Sequence, residues 1–414
     1  MTEDGEPLRL FQAYGVEIEY MLVDRETLAV RPLSDELLKA VIGEYACDYE
    51  DGPVAWSNEL ALHLIELKTN GPTGSLSGWA ARFDRDVRRI NALLEKWGAV
   101  LLPGGMHPSM DPRTETRLWP HEYSEVYNRF HRIFDCHRHG WANLQSVHLN
   151  LPFRGDLEFG RLHAACRAVL PVLPAIAASS PAMDGRATGR MDNRLHVYCT
   201  HQARIQSAMG SVIPEPVFTR RQYEERILEP MYREIAPNDP EGILQHEFLN
   251  ARGAIARFER SAIEIRLMDV QEHPGADLAL ALLATGLVRA LAEERWCPIE
   301  QVSALDTLRL RRLLDRTIAD ADRAELDDVT FLSVFGLKQP LPADQFWRHA
   351  LEAVRRDDPD WKELSASLEL ILTEGPLARR LSTAYGPDPS RERIEAVHRE
   401  LIGCLGDARP FHAG

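Results

Sequence analysis

The stretch that decides the fold is YGVEIEYMLVD, residues 14–24. Its alternation of apolar and polar side chains predicts a β-strand, because residues two apart on a strand share a face. Val16 and Ile18 begin an apolar face, whereas Glu17 and Glu19 lie side by side on the opposite face, roughly 6–7 Å apart. Two carboxylates at that spacing repel each other, so either water or a cation must accompany them.

Two later segments have the same division into an apolar and a polar face. SVHLNLP predicts a strand with His148 and Asn150 on its polar face, and AIEIRLMD predicts one with Glu264 and Arg266 on its polar face. If the three strands share one sheet, their polar faces form a floor dense in oxygen ligands. Any one strand could instead be the solvated face of a half-exposed antiparallel sheet, where alternation is ordinary. The acids, the histidine and the arginine of all three together favour a site.

A floor of this composition suits hard divalent cations. Mg²⁺ and Mn²⁺ take carboxylate oxygens, with an occasional imidazole for Mn²⁺, and usually bridge to the phosphates of a nucleotide. Arg266 would neutralise phosphate charge that the metals do not cover. The chain has no GxxxxGK[ST] or GxGxxG pattern, so nucleotide phosphates would be held by metals and arginines rather than by a glycine-rich loop.

The segment 57–69, SNELALHLIELKT, has two interpretations. Glu59 and Glu66 are seven residues apart, which places them on one face of a helix but on opposite faces of a straight strand. In an extended segment they would converge only if the chain bends between them or if Glu59 lies on a preceding turn. The residues alone leave both interpretations open.

The bulk properties exclude several classes of function. The formal net charge of −15 over 414 residues argues against nonspecific binding to nucleic acid or to anionic membranes. No window approaches the ~18–20 apolar residues of a membrane span. No early stretch has a basic start followed by a long apolar run, so we expect no signal peptide. The six scattered cysteines form no CxxC pair, which is typical of reduced thiols, so we expect a cytoplasmic protein.

Strands separated by long helical segments predict an α/β or α+β enzyme. We expect one catalytic domain over 12–414, with a sheet-bearing core at 12–298 and a helical C-terminal part at 299–414. The segment 181–216, rich in Gly, Pro and Arg, is predicted to be a functional loop region. The predicted elements are strands at 14–24, 144–153 and 261–270, and helices at 34–44, 76–98, 124–140, 158–178, 220–235 and 275–295.

Six motifs follow one another between residues 15 and 269, within a resemblance that runs from about residue 14 to residue 295: GVEIEYMLVD, ELALHLIELKT, PGGMHP, VHLNLP, ASSPAMDGRATGRMDNR and AIEIRLMD. Each is weak alone, but their order resembles that of the bacterial glutamate–cysteine ligase family, in the branch that includes the carboxylate–amine ligases. A looser match, TEGPLARRL followed by a final helix, continues to about residue 405.

The resemblance implies a fold similar to that of glutamine synthetase and the guanidino kinases, a curved and mainly antiparallel sheet with helices on its outer face. It also implies ATP-dependent ligation with Mg²⁺, or alternatively Mn²⁺. The γ-carboxylate of glutamate would take the γ-phosphoryl group of ATP to form an acyl phosphate, and the amine of cysteine would displace phosphate to form an amide. The implied partners are small amino acids or amines, and a homo-oligomer is compatible with the sequence.

The resemblance also assigns residues. The metal ligands would be Glu17, Glu19, Glu59, Glu66, His148 and Glu264. Arg266 would lie near the transferring phosphoryl group. Substrate or ATP would be bound by Arg194, Arg252, Arg257, Asn150 and Asn250. Arg252 and Asn250 match a DxR pair in which Asn replaces Asp and about three residues are inserted, and Arg257 is the competing candidate. Asp269 fits the last strand motif, either in a direct role or as a structural hydrogen-bond partner.

Two departures from the family pattern bear on function. SVHLNLP retains only His148 of a usually histidine-rich strand, and the loop between Gly189 and Pro214 is longer or differently built. That loop should contribute to the choice of acceptor. One alternative is therefore the same chemistry with another amino acid, amine, or peptide or carrier-protein end. A second is a catalytically silent metal-binding regulator, against which the intact Glu17 and Arg266 argue.

Overall fold

The computed structural model describes residues 6–413. The strands, in chain order, are β1 (Gly15–Asp24), β2 (Asp48–Tyr49), β3 (Val54–Asn58), β4 (Leu64–Thr69), β5 (Ala99–Leu102), β6 (Ser146–Pro152), β7 (Ala182–Met183), β8 (Arg186–Ala187), β9 (Ala254–Arg257), β10 (Ala262–Asp269), β11 (Glu325–Leu326) and β12 (Leu341–Pro342). The helices up to the end of the sheet-bearing part are α1 (Ser34–Ile42), α2 (Trp79–Leu94), α3 (Pro112–Glu115), α4 (Ser124–Phe134), α5 (His139–Ala142), α6 (Gly155–Val169), α7 (Pro174–Ala177), α8 (Asn193–Tyr198), α9 (Gln206–Met209), α10 (Arg220–Tyr223), α11 (Glu229–Ile235) and α12 (Pro274–Ala292). Those that follow are α13 (Ile299–Ser303), α14 (Thr307–Asp320), α15 (Val329–Ser333), α16 (Ala343–Val354), α17 (Pro359–Glu374), α18 (Leu377–Tyr385) and α19 (Arg391–Asp407).

Eight of the strands form one sheet in the order β2–β3–β4–β1–β6–β10–β9, with β5 paired to the end of β1. Each of these pairings is antiparallel. The apolar face of the sheet packs against α2, α6 and α12. The predicted α+β fold with a mainly antiparallel sheet and helices is confirmed.

The register of the sheet brings the polar faces of the three predicted strands together. Glu17 of β1 lies opposite Lys68 of β4 on one side and His148 of β6 on the other. Glu19 lies opposite Glu66 of β4 in the same pairing. Because side chains on neighbouring strands at paired positions share a face, one surface of the sheet collects these polar residues.

The segment 57–69 forms a hairpin of β3 and β4, not a helix. Glu59 follows the last residue of β3, on the turn, and Glu66 lies within β4. The bend between them gives the convergence that a straight strand would not allow. Sequence periodicity missed β2, β3, β5 and β9 because each has five residues or fewer, too few for a period to show.

Two predicted helices are interrupted. The helix expected at 158–178 ends as α6 at Val169, and a single 3-10 turn precedes α7 because Pro171 and Pro174 lack the backbone donor that a continuous helix needs. The helix expected at 124–140 ends as α4 at Phe134, where Asp135 adopts a left-handed backbone conformation with φ of 59°. The chain then turns into α5.

The expectation that no window is long and apolar enough for a membrane span is wrong for α12. This helix has 19 residues and a mean hydropathy of 1.6 over its most apolar stretch. However, 89% of that stretch is buried inside the fold, where α12 packs against α2, α6, α16 and α17. It is therefore a core helix in this structure.

Candidate active site

A cavity of about 570 Å³ lies over the polar faces of β4, β1, β6 and β10. Three kinds of side chain dominate its lining: carboxylates with His148, arginines, and aromatic rings. The carboxylates and His148 come from β2, the β3–β4 hairpin, β1, β6 and β10, whereas the arginines come from α8, β9, β10 and the turn between β9 and β10. We call Glu17, Glu19, Glu59, Glu66 and His148 the acidic floor.

Two sets of side chains in the acidic floor are arranged to hold cations. Ligand atoms of Glu17, Glu66 and His148 lie within 4.8 Å of one another, and the same is true of Glu19, Glu59 and Glu66. Since Glu66 belongs to both sets, cations in the two sets would share its carboxylate. The structure thus brings together five of the six side chains that the sequence predicted as metal ligands.

Hydrogen bonds orient the two glutamates of β1. His148 Nδ1 lies 3.1 Å from Glu17 Oε2, and Asn150 Nδ2 donates to Glu17 Oε1 at 3.0 Å. Ser146 donates to Glu19 Oε2 from its backbone nitrogen at 2.7 Å and from its hydroxyl at 2.9 Å. Sequence reasoning missed Ser146, although its position two residues before His148 places it on the same face of β6.

Glu17 and His148 form an ion pair in the absence of metal. Burial by itself would raise the pKa of Glu17, but the hydrogen bond and charge of His148 and the charge of Lys68 lower it to about 2. Burial would lower the pKa of His148, but its hydrogen bond to Glu17 and the charges of nearby glutamates raise it to about 9. The carboxylate and the imidazolium therefore stabilise each other near neutral pH.

The two remaining carboxyls of the β3–β4 hairpin hold protons more strongly than ordinary glutamates. Burial and the charge of Glu17 raise the pKa of Glu66 to about 7. Burial and the charges of Glu19 and Glu66 raise the pKa of Glu59 well above its usual range. A divalent cation would take the place of these protons. Carboxylate oxygens with a single imidazole are a donor set that fits Mg²⁺ or Mn²⁺.

Glu264, the sixth predicted metal ligand, lies outside both cation sets. Arg257 Nη1 donates to its Oε2 at 3.1 Å, and Arg266 Nη2 donates to its Oε1. Both oxygens of Glu264 are therefore engaged by guanidinium groups. The Nε of Arg266 is buried and has no hydrogen-bond partner among residues 6–413, and Arg266 is one of the residues that line the cavity. Arg260, which sequence reasoning missed, also lines the cavity from the β9–β10 turn.

Arg252 and Asn250 do not line the cavity, contrary to the sequence expectation. Arg252 donates from Nε and Nη2 to the two oxygens of Glu215 at 2.5 and 2.7 Å, and from Nη1 to Asn250 at 3.1 Å. Asn250 in turn donates to the hydroxyl of Tyr223 at 2.7 Å. These contacts join the segment before β9 to the loop at Glu215 and to the end of α10. Arg257, the competing candidate, does line the cavity.

Lys68 is the cation that the protein itself supplies to the acidic floor. Its Nζ lies 3.3 Å from Glu66 Oε1 and 3.2 Å from Asp48 Oδ1, and it donates to Ser57 Oγ at 3.0 Å. Ser57 also donates to Glu66 at 2.7 Å. Lys68 is two residues from Glu66 on β4, so the face alternation of that strand is the signal that could have found it.

Aromatic side chains cover the cavity on the side away from the sheet. Tyr127 and Phe130 of α4, Trp141 of α5, and Phe248 all line it. The ring centroid of Phe130 lies 5.1 Å from that of Trp141 and 6.0 Å from that of Phe248, so the three rings form one continuous wall. The predicted loop region 181–216 adds α8 and the turn after it, which bring Arg194, Tyr198, His201 and Gln202 to the lining.

Comparisons with known proteins agree with this architecture. The family model described as Glutamate-cysteine ligase family 2 matches residues 13–400. An uncharacterised protein of Archaeoglobus fulgidus is 30% identical over 391 residues, 94% of this chain and 98% of that protein. A Rubrobacter xylanophilus protein provisionally named glutamate–cysteine ligase 2-3 is 26% identical over 291 residues, 67% of this chain and 69% of that protein.

A solved structure shares the fold. The crystal structure of glutamate–cysteine ligase from Francisella tularensis, in complex with AMP, superposes with a TM-score of 0.56 at 13% identity. The match covers 97% of this chain and 94% of that one.

Proposed function

The chain belongs to glutamate–cysteine ligase family 2 and is an ATP-dependent carboxylate–amine ligase, and we propose that its acid substrate is glutamate and its amine is cysteine. The γ-carboxylate of glutamate attacks the γ-phosphorus of ATP, which releases ADP and forms an acyl phosphate. The amine of cysteine then attacks the acyl carbon, phosphate leaves, and an amide remains.

The observation that carries the proposal is the meeting of cation sets and arginines in one cavity. A carboxylate that approaches a triphosphate meets strong repulsion, so the site must cancel negative charge and align the reacting atoms. The acidic floor would hold Mg²⁺, or alternatively Mn²⁺, which neutralises phosphate oxygens when bound. Arg266, which lines the cavity, would donate to the phosphoryl group in transfer, and Arg194 and Arg257 would bind anionic groups of the reactants.

The test is ADP release by the purified protein with ATP, Mg²⁺, glutamate and a panel of amines, with the amide detected by mass spectrometry. We expect cysteine to stimulate ADP release and γ-glutamylcysteine to accumulate in equal amount. If no amide forms with any amine in the panel, the proposal that this ligase joins glutamate to an amine is wrong.

A second candidate is the same chemistry with a larger amine, such as another amino acid, a peptide end or a carrier-protein end. Two features favour it: the aromatic wall of Phe130, Trp141 and Phe248, and the loop between Gly189 and Pro214, which the sequence comparison above identifies as longer or differently built than in the family pattern. An apolar wall contributes most to binding when it is covered by apolar surface, which cysteine offers sparingly. Turnover of glutamate and cysteine at roughly 1–10³ s⁻¹ would reject this candidate.

We also propose that residues 12–414 act as one catalytic domain in the cytoplasm. Support for the single domain comes from Asp360 of α17, which accepts from Ser75 at 2.5 Å and from Leu76 and Ser77 in the approach to α2. Support for the location comes from the six free cysteines. The proposed partners are small-molecule substrates, and we expect no binding to nucleic acid or to membranes. Gel filtration would test whether the protein forms a homo-oligomer.

A further inference from the structure

Arg194 reaches the cavity from an enclosed position. Its side chain is 1% exposed, and it lies at the start of α8. Its Nε donates to Asp269 Oδ1, and its terminal nitrogens donate to the backbone oxygen of Arg266 at 3.4 and 3.5 Å. The guanidinium is thus held by the end of β10, and Arg194 is one of the residues that line the cavity.

Asp269 is itself fixed by donors on its other oxygen. Its Oδ2 accepts from Ser179 N at 2.9 Å and from Ser180 Oγ at 2.8 Å. The side chain is fully buried, so its orientation is set by these contacts rather than by water. The neighbouring Asp192 accepts from Leu195 N as the cap of α8. Burial and the charge of Asp269 raise the pKa of Asp192 well above its usual range.

Gly105 makes room for this carboxylate. It belongs to the PGGMHP turn between β5 and α3, and its backbone nitrogen donates to Ser179 Oγ at 2.7 Å. A Cβ at this position would overlap the carboxylate of Asp269. The turn, the end of β10 and the start of α8 therefore meet at one carboxylate, although residues 105, 194 and 269 are far apart in sequence.

We propose that Asp269 and Gly105 are positioning residues, which set the guanidinium of Arg194 at the cavity wall so that it can bind an anionic group of the acid substrate. Asp269 does not itself line the cavity, whereas Arg194, which donates to it, does, so we expect its effect on the reaction to pass through Arg194. The binding role of Arg194 rests on the proposed function, whereas the positioning of its guanidinium does not.

A purely structural ion pair is the competing explanation, and the chain offers a matched control for it. Glu272 and Arg380 form a pair in which both side chains are 1% exposed, and neither lines the cavity. Asp269→Asn and Glu272→Gln each replace a buried carboxylate by an amide of the same shape. If both ion pairs are purely structural, both variants lose stability and neither alters substrate binding beyond that loss. If Asp269 positions Arg194, only Asp269→Asn alters substrate binding.

The kinetic experiment compares these variants with Arg194→Lys and with the Asp269→Asn/Arg194→Lys double variant. We expect kcat/KM for glutamate to fall about 10²-fold in Asp269→Asn, mainly through KM, and to stay at the wild-type value in the folded fraction of Glu272→Gln. The double variant should be no worse than Arg194→Lys, because both changes remove the same interaction. Additive losses, or an equal effect of Glu272→Gln, would overturn the proposal.

An NMR experiment tests the positioning without any turnover. In protein labelled with ¹⁵N-arginine, the Nε–H resonance of Arg194 is identified by its loss in Arg194→Lys. We expect it to move upfield in Asp269→Asn and in Gly105→Ala, because the charge-assisted hydrogen bond weakens, and to stay in place in Glu272→Gln. If Gly105→Ala does not fold, Ser180→Ala should move it less and in the same direction. A resonance that stays in place in Asp269→Asn overturns the positioning, whereas a moved resonance with an unchanged KM overturns the assigned binding role of Arg194.

Discussion

Two groups of carboxylates in this molecule differ in how their charge is balanced. Outside the cavity, Glu272 and Glu215 are each matched by a guanidinium: Glu272 lies 2.6 Å from Arg380, and Glu215, which is partly exposed, lies 2.5 Å from Arg252. In the acidic floor, four carboxylates share one imidazole and one partly exposed ammonium, that of Lys68. The first group balances its charge within the fold, and the second does not.

The difference separates stability from function. A buried pair that is fully matched is costly to break, because the partner left behind is an uncompensated charge. Crowded like charges raise the free energy of the folded state, and such an arrangement persists where a ligand completes it. Substitutions in the matched pairs should therefore affect unfolding, whereas substitutions in the acidic floor should affect turnover and metal binding.

The largest effect on stability is expected for Arg380→Met. This change removes both guanidinium donors to Glu272 and the donor to the backbone oxygen of Phe411, and it leaves a buried carboxylate with no guanidinium partner, although the backbone nitrogen of Phe411 still donates to it at 3.4 Å. We expect the free energy of unfolding to fall by about 3–5 kcal/mol, measured by urea denaturation, with turnover per folded molecule unchanged.

The control for that prediction is Arg355→Met. Arg355 lies 3.9 Å from Glu369, and both side chains are more than half exposed, so its loss should cost about 0–1 kcal/mol. Equal destabilisation by the two substitutions would remove the distinction between matched buried pairs and ordinary surface charge.

The largest effect on activity is expected for Glu66→Gln. Glu66 is common to both cation sets, so its loss should lower kcat by about 10²–10³-fold, the range typical for removal of one group that stabilises transition-state charge. The same variant, free of metal, should unfold at a temperature equal to or above that of the wild type, because one of the repelling carboxyls is gone. ADP release and thermal unfolding measure the two properties on one sample, and retained activity would return Glu66 to a structural role.

The sequence predicted the acidic floor better than the matched pairs, because the floor follows from local sequence patterns whereas the pairs join residues that are far apart in sequence. Glu17 and Glu19 share a face because alternation along a strand is a local property, and the same is true of His148. The partner of Arg252 is 37 residues away and that of Arg380 is 108 residues away, so only the assembled fold decides whether an arginine faces the cavity. Motif order alone therefore placed Arg252 in the site. For the same reason, the sequence did not decide whether the segment that joins Glu59 to Glu66 is a helix or a hairpin.

The unmatched charge also predicts how pH acts on the metal-free protein. The folded-state pKa values of Glu66 and His148 are raised to about 7 and about 9, so the folded state binds more protons than the unfolded state until these groups titrate. Their contribution to stability is full at low pH, declines as Glu66 titrates towards pH 7, and is lost as the pH rises through 9. Glu17, with a pKa lowered to about 2, acts in the opposite sense and only at acid pH.

Mg²⁺ must displace those protons, so its affinity should rise with pH between 6 and 9, by up to about tenfold per pH unit for each proton released. Calorimetric titration in two buffers of different ionisation enthalpy counts the protons directly. An affinity that does not change with pH would mean that Glu66 and His148 do not ligate the metal.

The smallest effect, and the one that sharpens the comparison most, is expected for Lys68→Met. The ammonium of Lys68 contacts Glu66 at 3.3 Å and keeps its charge above pH 9, because Glu66 and Asp48 raise its pKa above the usual range despite burial. A cation in the Glu17, Glu66 and His148 set would be repelled by it.

At pH 9, where Glu66 is ionised in both proteins, the variant should bind Mg²⁺ more tightly by about three- to tenfold, a modest gain because Lys68 is partly exposed and its charge is screened. At pH 6.5 the gain should shrink, because loss of the ammonium lets Glu66 hold its proton more strongly. Weaker binding at both pH values would show that Lys68 supports the metal set rather than competing with it, and the acidic floor would then be partly matched within the fold after all.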